Sequence, residues 1–340
     1  MFLPMKPVGL ILDSDEMSGL LPLARDAEAA GFDSIWATEL YRTSFEQLSY
    51  VSSVTKTIKL GTAVALAFVR TPLITALTAL DLDEISGGRL VLGLGTGAKR
   101  TNEMWHGISH GKPVTRIKEC MDVIRLVTEK AGDGALRYKG EYYDINTKGY
   151  HRPFKTVRDN IPIYLAGVGG GMCRAAGEKA DGYLGHVVCS ERYLRELVLP
   201  EIKAGLEASG RDRRGFTASS IVTCAISNDR KRATEAARAT IAFYATVRTY
   251  EPPFKLHGFT AETAKIRDAF LNGDVKSMVA AVSDEMVDTF AVVGTPDECR
   301  KRIDSYRELL DLPILSAPHY YIDFEEVREY QGAILDVFGS

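Results

Sequence analysis

The feature that most constrains the fold of this chain is a regular alternation of short apolar runs with amphipathic stretches. Eight apolar runs are each followed by a segment in which apolar residues recur every three or four positions. Parallel strands need a crossover, usually a helix, so this order predicts a parallel sheet with right-handed crossovers. Eight such units favour an α/β fold closed into a (β/α)8 TIM barrel over an open doubly wound sheet. The predicted strands span residues 6–12, 33–37, 58–64, 89–92, 161–165, 182–185, 219–226 and 289–293.

The chain is expected to form one domain over residues 1–340. Its length would allow two domains of about 150 residues, but α/β barrels of this size are often single. No low-complexity tract or linker with a shift in composition interrupts the pattern. Two longer segments are predicted to decorate the barrel: an excursion at residues 131–158, and a helical insertion at about residues 229–282 after strand seven.

Composition excludes several classes of function. The 42 Lys and Arg residues against 45 Asp and Glu give a net charge of −3, so nucleic-acid binding is not expected. The five cysteines are scattered without a CxxC pair, which predicts neither a disulfide framework nor a zinc site. The apolar runs fall far short of the roughly 20 residues that span a bilayer, and the N-terminal residues lack the pattern of a signal peptide. A cytoplasmic protein that acts on a small molecule is expected.

Two glycine-rich loops follow the fourth and fifth predicted strands. The first covers residues 93–97, and the second covers residues 166–171 directly before a predicted helix. Backbone N–H groups at such a helix start, unblocked by side chains, can bind a phosphate. Neither loop has the GxGxxG spacing with an acidic residue about 20 positions on, which argues against a Rossmann turn. The alternative is that these glycines only permit tight turns between strand and helix.

Motifs along most of the chain resemble those of the luciferase-like oxidoreductases, in the order that this family has them. They are GFDSIWATE at 31–39, LGTAV at 60–64 with RTP at 70–72, SGGRLVLGLGTG at 86–97, PIYLAG at 162–167, MCRAAGEKADG at 172–182 and FAVVGTPDE at 290–298. The segment at 172–182, with IAFY at 241–244 and LHG at 256–258, is most similar to members that use the deazaflavin coenzyme F420. Monooxygenases that depend on FMN share the same barrel.

The resemblance implies a cofactor site at the ends of the strands. The third strand would end in a bulge with a non-proline cis peptide behind the flavin ring, here between Ala63 and Val64. The phosphate and ribityl chain would lie on the glycines before the helix. The implied cofactor-binding residues are Thr38, Glu39, Ala63, Val64, Gly95, Thr96, Gly97, Ala166, Val168, Gly169, Gly170, Gly171 and Met172.

Two residues are predicted to be catalytic. Glu39 ends strand two, where this family usually has an acid, and His186 ends strand six at the expected catalytic rim. A salt bridge at the rim is the alternative for Glu39, and a packing role is the alternative for His186. The residues predicted to contact substrate are Trp105, His106, Tyr244 and His257, and Tyr244 belongs to an aromatic segment that either packs in the core or forms a lid. No metal site is predicted.

Four positions depart from the sugar-phosphate dehydrogenases of the F420-dependent branch. Leu40 and Ala98 stand where those enzymes have a histidine and a glutamate, so their mechanism is not expected here. Cys189 and Asp288 stand where they have lysines that bind the anionic cofactor tail. Either the tail is held elsewhere in this protein, or the cofactor differs.

The predicted function is F420-dependent transfer of a hydride between the deazaflavin ring and a small organic substrate. The alternatives are an FMN-dependent monooxygenase and a non-catalytic flavin-binding protein. A homodimer is expected because homodimers are common among such proteins.

Overall fold

The computed structural model describes residues 7–130, 134–158 and 160–339. The predicted first strand begins at Lys6 and the predicted excursion begins with residues 131–133; these positions lie outside the described residues. The strands are β1 (Gly9–Leu12), β2 (Ser34–Ala37), β3 (Lys59–Thr62), β4 (Ala65–Leu66), β5 (Leu90–Gly95), β6 (Arg137–Lys139), β7 (Asp144–Asn146), β8 (Ile163–Ala166), β9 (Gly182–Gly185), β10 (Thr217–Ile226), β11 (Ala291–Gly294) and β12 (Leu312–Ser316). The helices are α1 (Leu20–Ala29), α2 (Ser44–Ser52), α3 (Pro72–Ser86), α4 (Lys99–Met104), α5 (Pro113–Glu129), α6 (Gly170–Lys179), α7 (Glu191–Tyr193), α8 (Leu199–Ala208), α9 (Arg230–Ala245), α10 (Glu251–Leu256), α11 (Thr260–Leu271), α12 (Val275–Ala280), α13 (Asp284–Phe290), α14 (Pro296–Tyr306) and α15 (Phe324–Phe338).

Eight parallel strands close into a barrel, which confirms the predicted TIM-barrel fold. Their order around the ring is β1, β2, β3, β5, β8, β9, β10 and β12, and β12 pairs again with β1. The two-residue strand β4 continues the line of β3 and pairs with the upper part of β5. The carboxyl ends of all eight strands therefore surround one mouth, where active sites of this fold lie.

The prediction of the eighth barrel strand was wrong. The segment predicted at 289–293 begins within α13, and β11 pairs with residues 223–226 of β10, beyond residues 217–220 that pair with β9. The strand that closes the barrel is β12, which contains Pro313. Proline has no N–H to donate to a ladder and argues against a central strand, so this short apolar segment gives a weak strand signal.

The barrel interior is filled by apolar side chains from most of its strands. Trp36 is fully buried there, and its indole N–H donates to Ser34 Oγ at 2.9 Å. A Cβ atom on Gly61 would lie 2.1 Å from the Trp36 ring, so the indole occupies the space beside that glycine. The interior side chains are Ile11, Trp36, Ala63, Val91, Leu184, Leu312 and Ile314. This packed interior confines any ligand to the mouth above it.

Two segments add structure to the barrel. Strands β6 and β7 form an antiparallel hairpin between α5 and β8, and the helices from α9 to α13 lie between β10 and β11. Among the described residues, no helix has the length and apolar character needed to cross a membrane.

Helices α6 and α8 approach each other through glycines. A Cβ atom on Gly177 would lie 2.2 Å from the carbonyl oxygen of Ile202, and one on Gly205 would lie 2.1 Å from the carbonyl oxygen of Arg174. Backbone atoms cannot rotate away as a side chain can, so a methyl group must push the helices apart.

We expect Gly177→Ala to lower the free energy of unfolding by about 2 kcal/mol, although alanine favours helix formation. The matched control is Gly332→Ala in α15, where a Cβ meets nothing within 4 Å. That variant should gain about 0.5–1 kcal/mol. Urea unfolding of both variants measures the difference, and a Gly177→Ala protein as stable as wild type would contradict the packing.

Candidate active site

The order of the strands divides the barrel mouth into two halves. The ends of β3, β5 and β8 are neighbours, and the ends of β10, β12 and β1 lie opposite them. We call the first set the glycine half, because both glycine-rich loops follow its strands. The second set, together with β9, is the aromatic half. The predicted cofactor residues of the glycine half are Ala63, Val64, Gly95, Thr96, Gly97, Ala166, Val168, Gly169, Gly170, Gly171 and Met172, while Thr38 and Glu39 follow β2.

The loops after β3 and β5 fit tightly against each other. The peptide bond between Ala63 and Val64 is cis, as the family resemblance implies. A Cβ atom on Gly95 would lie 2.4 Å from a methyl group of Val64. Gly97 has a φ of +68°, and a Cβ there would lie 2.8 Å from Asn102 Oδ1. These glycines are therefore required by the packing of the mouth itself.

Buried polar side chains hold the loop after β5. Asn102 is fully buried, and its Nδ2 donates to the carbonyl oxygen of Thr96 at 2.7 Å and contacts His110 Nδ1 at 3.0 Å. Because Nδ2 is a donor, His110 accepts at Nδ1, and burial lowers the pKa of this histidine. The neutral ring fixes Asn102, which in turn fixes Thr96.

The glycines before α6 differ from those after β5. Gly169 has a φ of −76°, which any residue adopts, and a Cβ on it would meet nothing within 4 Å. A Cβ on Gly170 or Gly171 would make ordinary or slightly tight contacts, at 3.3 Å from Glu201 and 3.6 Å from Val114. Neither backbone conformation nor packing requires these glycines. They leave an open cradle at the N-terminus of a ten-residue helix. The Met172 and Cys173 N–H groups donate to the Gly169 carbonyl oxygen, and no side chain caps the first turn.

Two tyrosines hold the loop that leads into this cradle. Tyr183 donates its hydroxyl hydrogen to the carbonyl oxygen of Gly167 at 2.6 Å, and Tyr193 donates to that of Val168 at 2.9 Å. Both side chains are buried, and burial raises the pKa of each phenol, so they stay protonated as donors. The loop is thus preformed, with its carbonyl groups turned toward the protein.

Glu39 is held by partners on both carboxylate oxygens. Oε1 lies 2.5 Å from Arg70 Nη1, and Oε2 accepts from the backbone N–H and the hydroxyl of Ser44 at 3.2 and 2.9 Å. The side chain is 7% exposed. This arrangement joins the end of β2 to the segment before α3 and to the first turn of α2. Proton transfer by Glu39 remains a prediction; the contacts seen here are those of a positioning residue.

Five aromatic rings line the aromatic half: His186, Phe243, Tyr244, Tyr250 and Tyr320. We call them the aromatic wall. The His186 ring stacks on Tyr250 at 3.9 Å between centroids and meets Tyr244 edge-on at 4.5 Å, while Phe243 stacks on Tyr320 at 3.6 Å. All five side chains are half-buried, so solvent still reaches them. The wall therefore borders the mouth. It brings together two residues of the predicted site, His186 and Tyr244.

Burial lowers the pKa of His186 to about 3, and its Nδ1 atom has no hydrogen-bond partner among the described residues. The unfolded chain takes up a proton here near pH 6.5, but the folded protein does not until about pH 3, so stability falls as the pH drops through this window.

We expect the free energy of unfolding of wild type to fall by about 1–2 kcal/mol between pH 7 and pH 5, a loss that His186→Asn does not show. Urea unfolding at both pH values measures this, with His106→Asn at an exposed position as control. Equal losses in wild type and His186→Asn would contradict a His186 ring that stays neutral in the folded protein.

Two residues of the mouth were not predicted from the sequence. Asp13 follows β1, and His319 follows β12. The Nδ1 atom of His319 lies 3.9 Å from Asp13 Oδ2 and 3.1 Å from the carbonyl oxygen of Ala317. The pKa of Asp13 is raised by burial and lowered by His319 and Arg42. Their position directly after adjacent strands, on the rim of a barrel, is the signal that would have found them.

The other predicted substrate residues lie elsewhere. Trp105 and His106 are exposed just after α4. His257 packs against Phe259 and Phe290, and its Nε2 lies 2.7 Å from Ser190 Oγ, at a surface cleft of about 480 Å³. That cleft also has Arg192, Arg195, Arg302 and Asp288 in its lining. Of the four predicted substrate residues, Tyr244 is the one within the aromatic wall.

The sequence and the fold were compared with those of known proteins. The sequence pattern of the family described as luciferase-like monooxygenase matches residues 1–311. A 5,10-methylenetetrahydromethanopterin reductase of Archaeoglobus fulgidus is 35% identical over 287 residues, covering 82% of this chain and 82% of the relative.

Solved structures share the fold. The coenzyme F420-dependent tetrahydromethanopterin reductase of Methanopyrus kandleri has a TM-score of 0.81 at 24% identity, covering 98% of this chain and 99% of its own. The oxygenating constituent of 3,6-diketocamphane monooxygenase from Pseudomonas putida, in complex with FMN, has a TM-score of 0.68 at 18% identity, covering 97% and 96%. At these identities the two likenesses show a common barrel.

Proposed function

Because this chain belongs to the luciferase-like monooxygenase family, as its motifs predicted, we propose that it is an F420-dependent oxidoreductase that moves a hydride to or from a small organic substrate. The observation that carries the proposal is the open cradle at residues 169–171, which the protein's own packing does not require. The 35% identity to a reductase over 82% of both chains supports oxidoreduction. A bound deazaflavin supplies a ring carbon that accepts or donates a hydride, which the protein chain cannot do alone.

The cofactor site is proposed on the glycine half. The Gly170 and Gly171 N–H groups at the start of α6 would bind the cofactor's phosphate, and the helix dipole would add to the attraction. Tyr183 and Tyr193 keep the loop in that shape before ligand binding, which lowers the entropy cost of association. Val64, held by Gly95, forms the surface against which the ring system rests.

The remaining residues position and shield the reacting groups. Glu39 and Arg70 fix the end of β2 at the rim, so Thr38 keeps a constant position beside the ring. A substrate packed against the aromatic wall would displace water from the opposite side, which protects a hydride in transit from solvent protons. His186 is neutral above about pH 3, so it does not repel a cation or attract an anion there at neutral pH.

An FMN-dependent monooxygenase is the second candidate, since a barrel of this fold binds FMN in the diketocamphane enzyme. The open cradle suits the phosphate of either cofactor. The two candidates differ in their need for oxygen, because reduced FMN reacts with it and a reduced deazaflavin favours hydride transfer.

A turnover assay tests the proposal. Reduced F420 is mixed with the purified protein under argon. The trial hydride acceptors are methylenetetrahydromethanopterin, after the relative from Archaeoglobus fulgidus, and acetone, which forms an adduct with F420 in a secondary alcohol dehydrogenase of the same fold. We expect at least one acceptor to be reduced without oxygen, one equivalent for each cofactor oxidised. The proposal would be overturned if the protein consumed reduced FMN only in the presence of oxygen and did not react with reduced F420 under argon or in oxygen.

A further inference from the structure

The aromatic half of the mouth carries a negative charge that the protein does not fully neutralise. Among the described residues, His319 is the ion-pair partner of Asp13, and the two atoms are 3.9 Å apart. Arg42 is near, but its guanidinium donates to the carbonyl oxygens of Ser14 and Asp15 at 2.8 and 2.5 Å rather than to the carboxylate. Asp13 also accepts a hydrogen bond from the backbone N–H of Ser14. A half-buried carboxylate with such partners favours an additional cation.

The same carboxylate lies beside the aromatic wall. His319 Nδ1 lies 3.9 Å from Asp13 Oδ2, the His319 ring lies 4.3 Å from the Tyr320 ring between centroids, and the Tyr320 ring lies 5.4 Å from that of Tyr244, so these groups share one region. Tyr244 also donates a hydrogen bond to Tyr320. The faces of tyrosine and phenylalanine rings carry partial negative charge and attract cations within about 6 Å. Rings and carboxylate thus favour the same kind of ligand.

Two cations elsewhere on the rim have partners of their own. Arg70 is bound to Glu39, and Arg116 lies over Phe68 and donates to the carbonyl oxygen of Ser109. Within the part of the chain that the structure describes, His319 and Arg42 are the cations that lower the pKa of Asp13 and would compete with a ligand for it. An anionic substrate on this side would be repelled by the Asp13 carboxylate.

We propose that the aromatic wall and Asp13 form a substrate subsite for a planar cation, such as a quaternary or protonated nitrogen heterocycle, with Asp13 as its counter-charge. The inference rests on the proposed function only in treating the half opposite the cradle as the substrate side. The groups that face Asp13 are Ser14 and Asp15 on its own segment, Arg42 after β2, Tyr244 on α9, and His319 and Tyr320 after β12.

The test is a calorimetric titration of the full chain at pH 8 with two probes of the same shape, N-methylquinolinium and neutral quinoline. We expect the cation to bind at least tenfold more tightly, and Asp13→Asn to bring the two affinities within twofold. Asp15→Asn is the matched control, since this exposed carboxylate pairs with Arg328 and lies two residues away. His319→Gln should bind the cation as tightly as wild type or more tightly, because a competitor for Asp13 is removed.

A second measurement needs no variant. Affinity of wild type for N-methylquinolinium should fall as the pH is lowered from 8 into the acid range, because the probe stays charged while Asp13, whose pKa burial raises, takes up a proton. Equal affinity for both probes in wild type, no binding of either, a preference retained in Asp13→Asn, or an affinity independent of pH would overturn the inference. These titrations contain no deazaflavin, so their failure leaves the proposed function untouched, and the failure of F420 binding leaves this subsite untouched.

Discussion

Gly169→Asp should lower the affinity for F420 about 100-fold while leaving the protein as stable as wild type. The carboxylate would stand at the N-cap of α6, where the open cradle gives it room. Aspartate is a favoured N-cap residue, so the helix loses nothing and gains up to a few tenths of a kcal/mol. The same negative charge would occupy the proposed phosphate position and repel the cofactor, a loss of about 2.7 kcal/mol in binding.

Fluorescence titration with F420 measures this loss, and thermal unfolding measures stability. Gly215→Asp is the control, because a Cβ there also meets nothing within 4 Å and Gly215 is remote from the cradle in sequence and fold. An unchanged affinity in Gly169→Asp would show that the phosphate does not bind at α6. A large loss of stability would instead contradict the open geometry of the cradle.

Glu39→Gln should lower the free energy of unfolding by about 3 kcal/mol, because it leaves the mostly buried Arg70 guanidinium without its counter-charge. The Glu39 and Arg70 side chains are 7% and 20% exposed. In the double variant with Arg70→Gln the loss should be smaller than the sum of the two single losses, since the pair acts as one unit. The matched control is Asp33→Asn, whose pair with Lys59 is more exposed and should cost less than about 1 kcal/mol.

Urea unfolding of the four variants gives these values, and turnover separates the two roles of Glu39. A positioning residue loses activity in step with stability, and Arg70→Gln shows the same loss. A Glu39→Gln protein with wild-type stability and no turnover, beside an active Arg70→Gln, would instead support proton transfer by Glu39.

The barrel, the glycine loops and the family were predictable because their signals are local. A strand is marked by a short apolar run, and the helix after it by apolar residues at every third or fourth position. The glycine-rich loops follow their strands directly in the sequence. The closing strand β12 was missed because Pro313 weakens its local pattern. In the fold, β12 pairs with β1 on one side and with β10 on the other. These pairings join distant parts of the chain, so a short stretch of sequence does not reveal them.

The site was less predictable because its contacts join distant parts of the chain. Asp13 and His319 are near opposite ends of the sequence and meet only when β12 closes on β1. The ion pair of Glu39 with Arg70 likewise depends on the order of β2 and β3. The sequence cannot distinguish Gly95, which packing requires, from Gly169, which packing does not.

The measurement that tests the central claim most directly is a titration of the purified full chain with F420 and with FMN, followed by fluorescence and calorimetry. We expect micromolar or tighter binding of F420, binding of FMN at least tenfold weaker, and loss of the F420 signal in Gly169→Asp. Selective binding of FMN would contradict the proposed cofactor and would favour the FMN-dependent monooxygenase as the function. Binding of neither would mean that this chain keeps the barrel of its family without the cofactor, and the cradle would need another ligand.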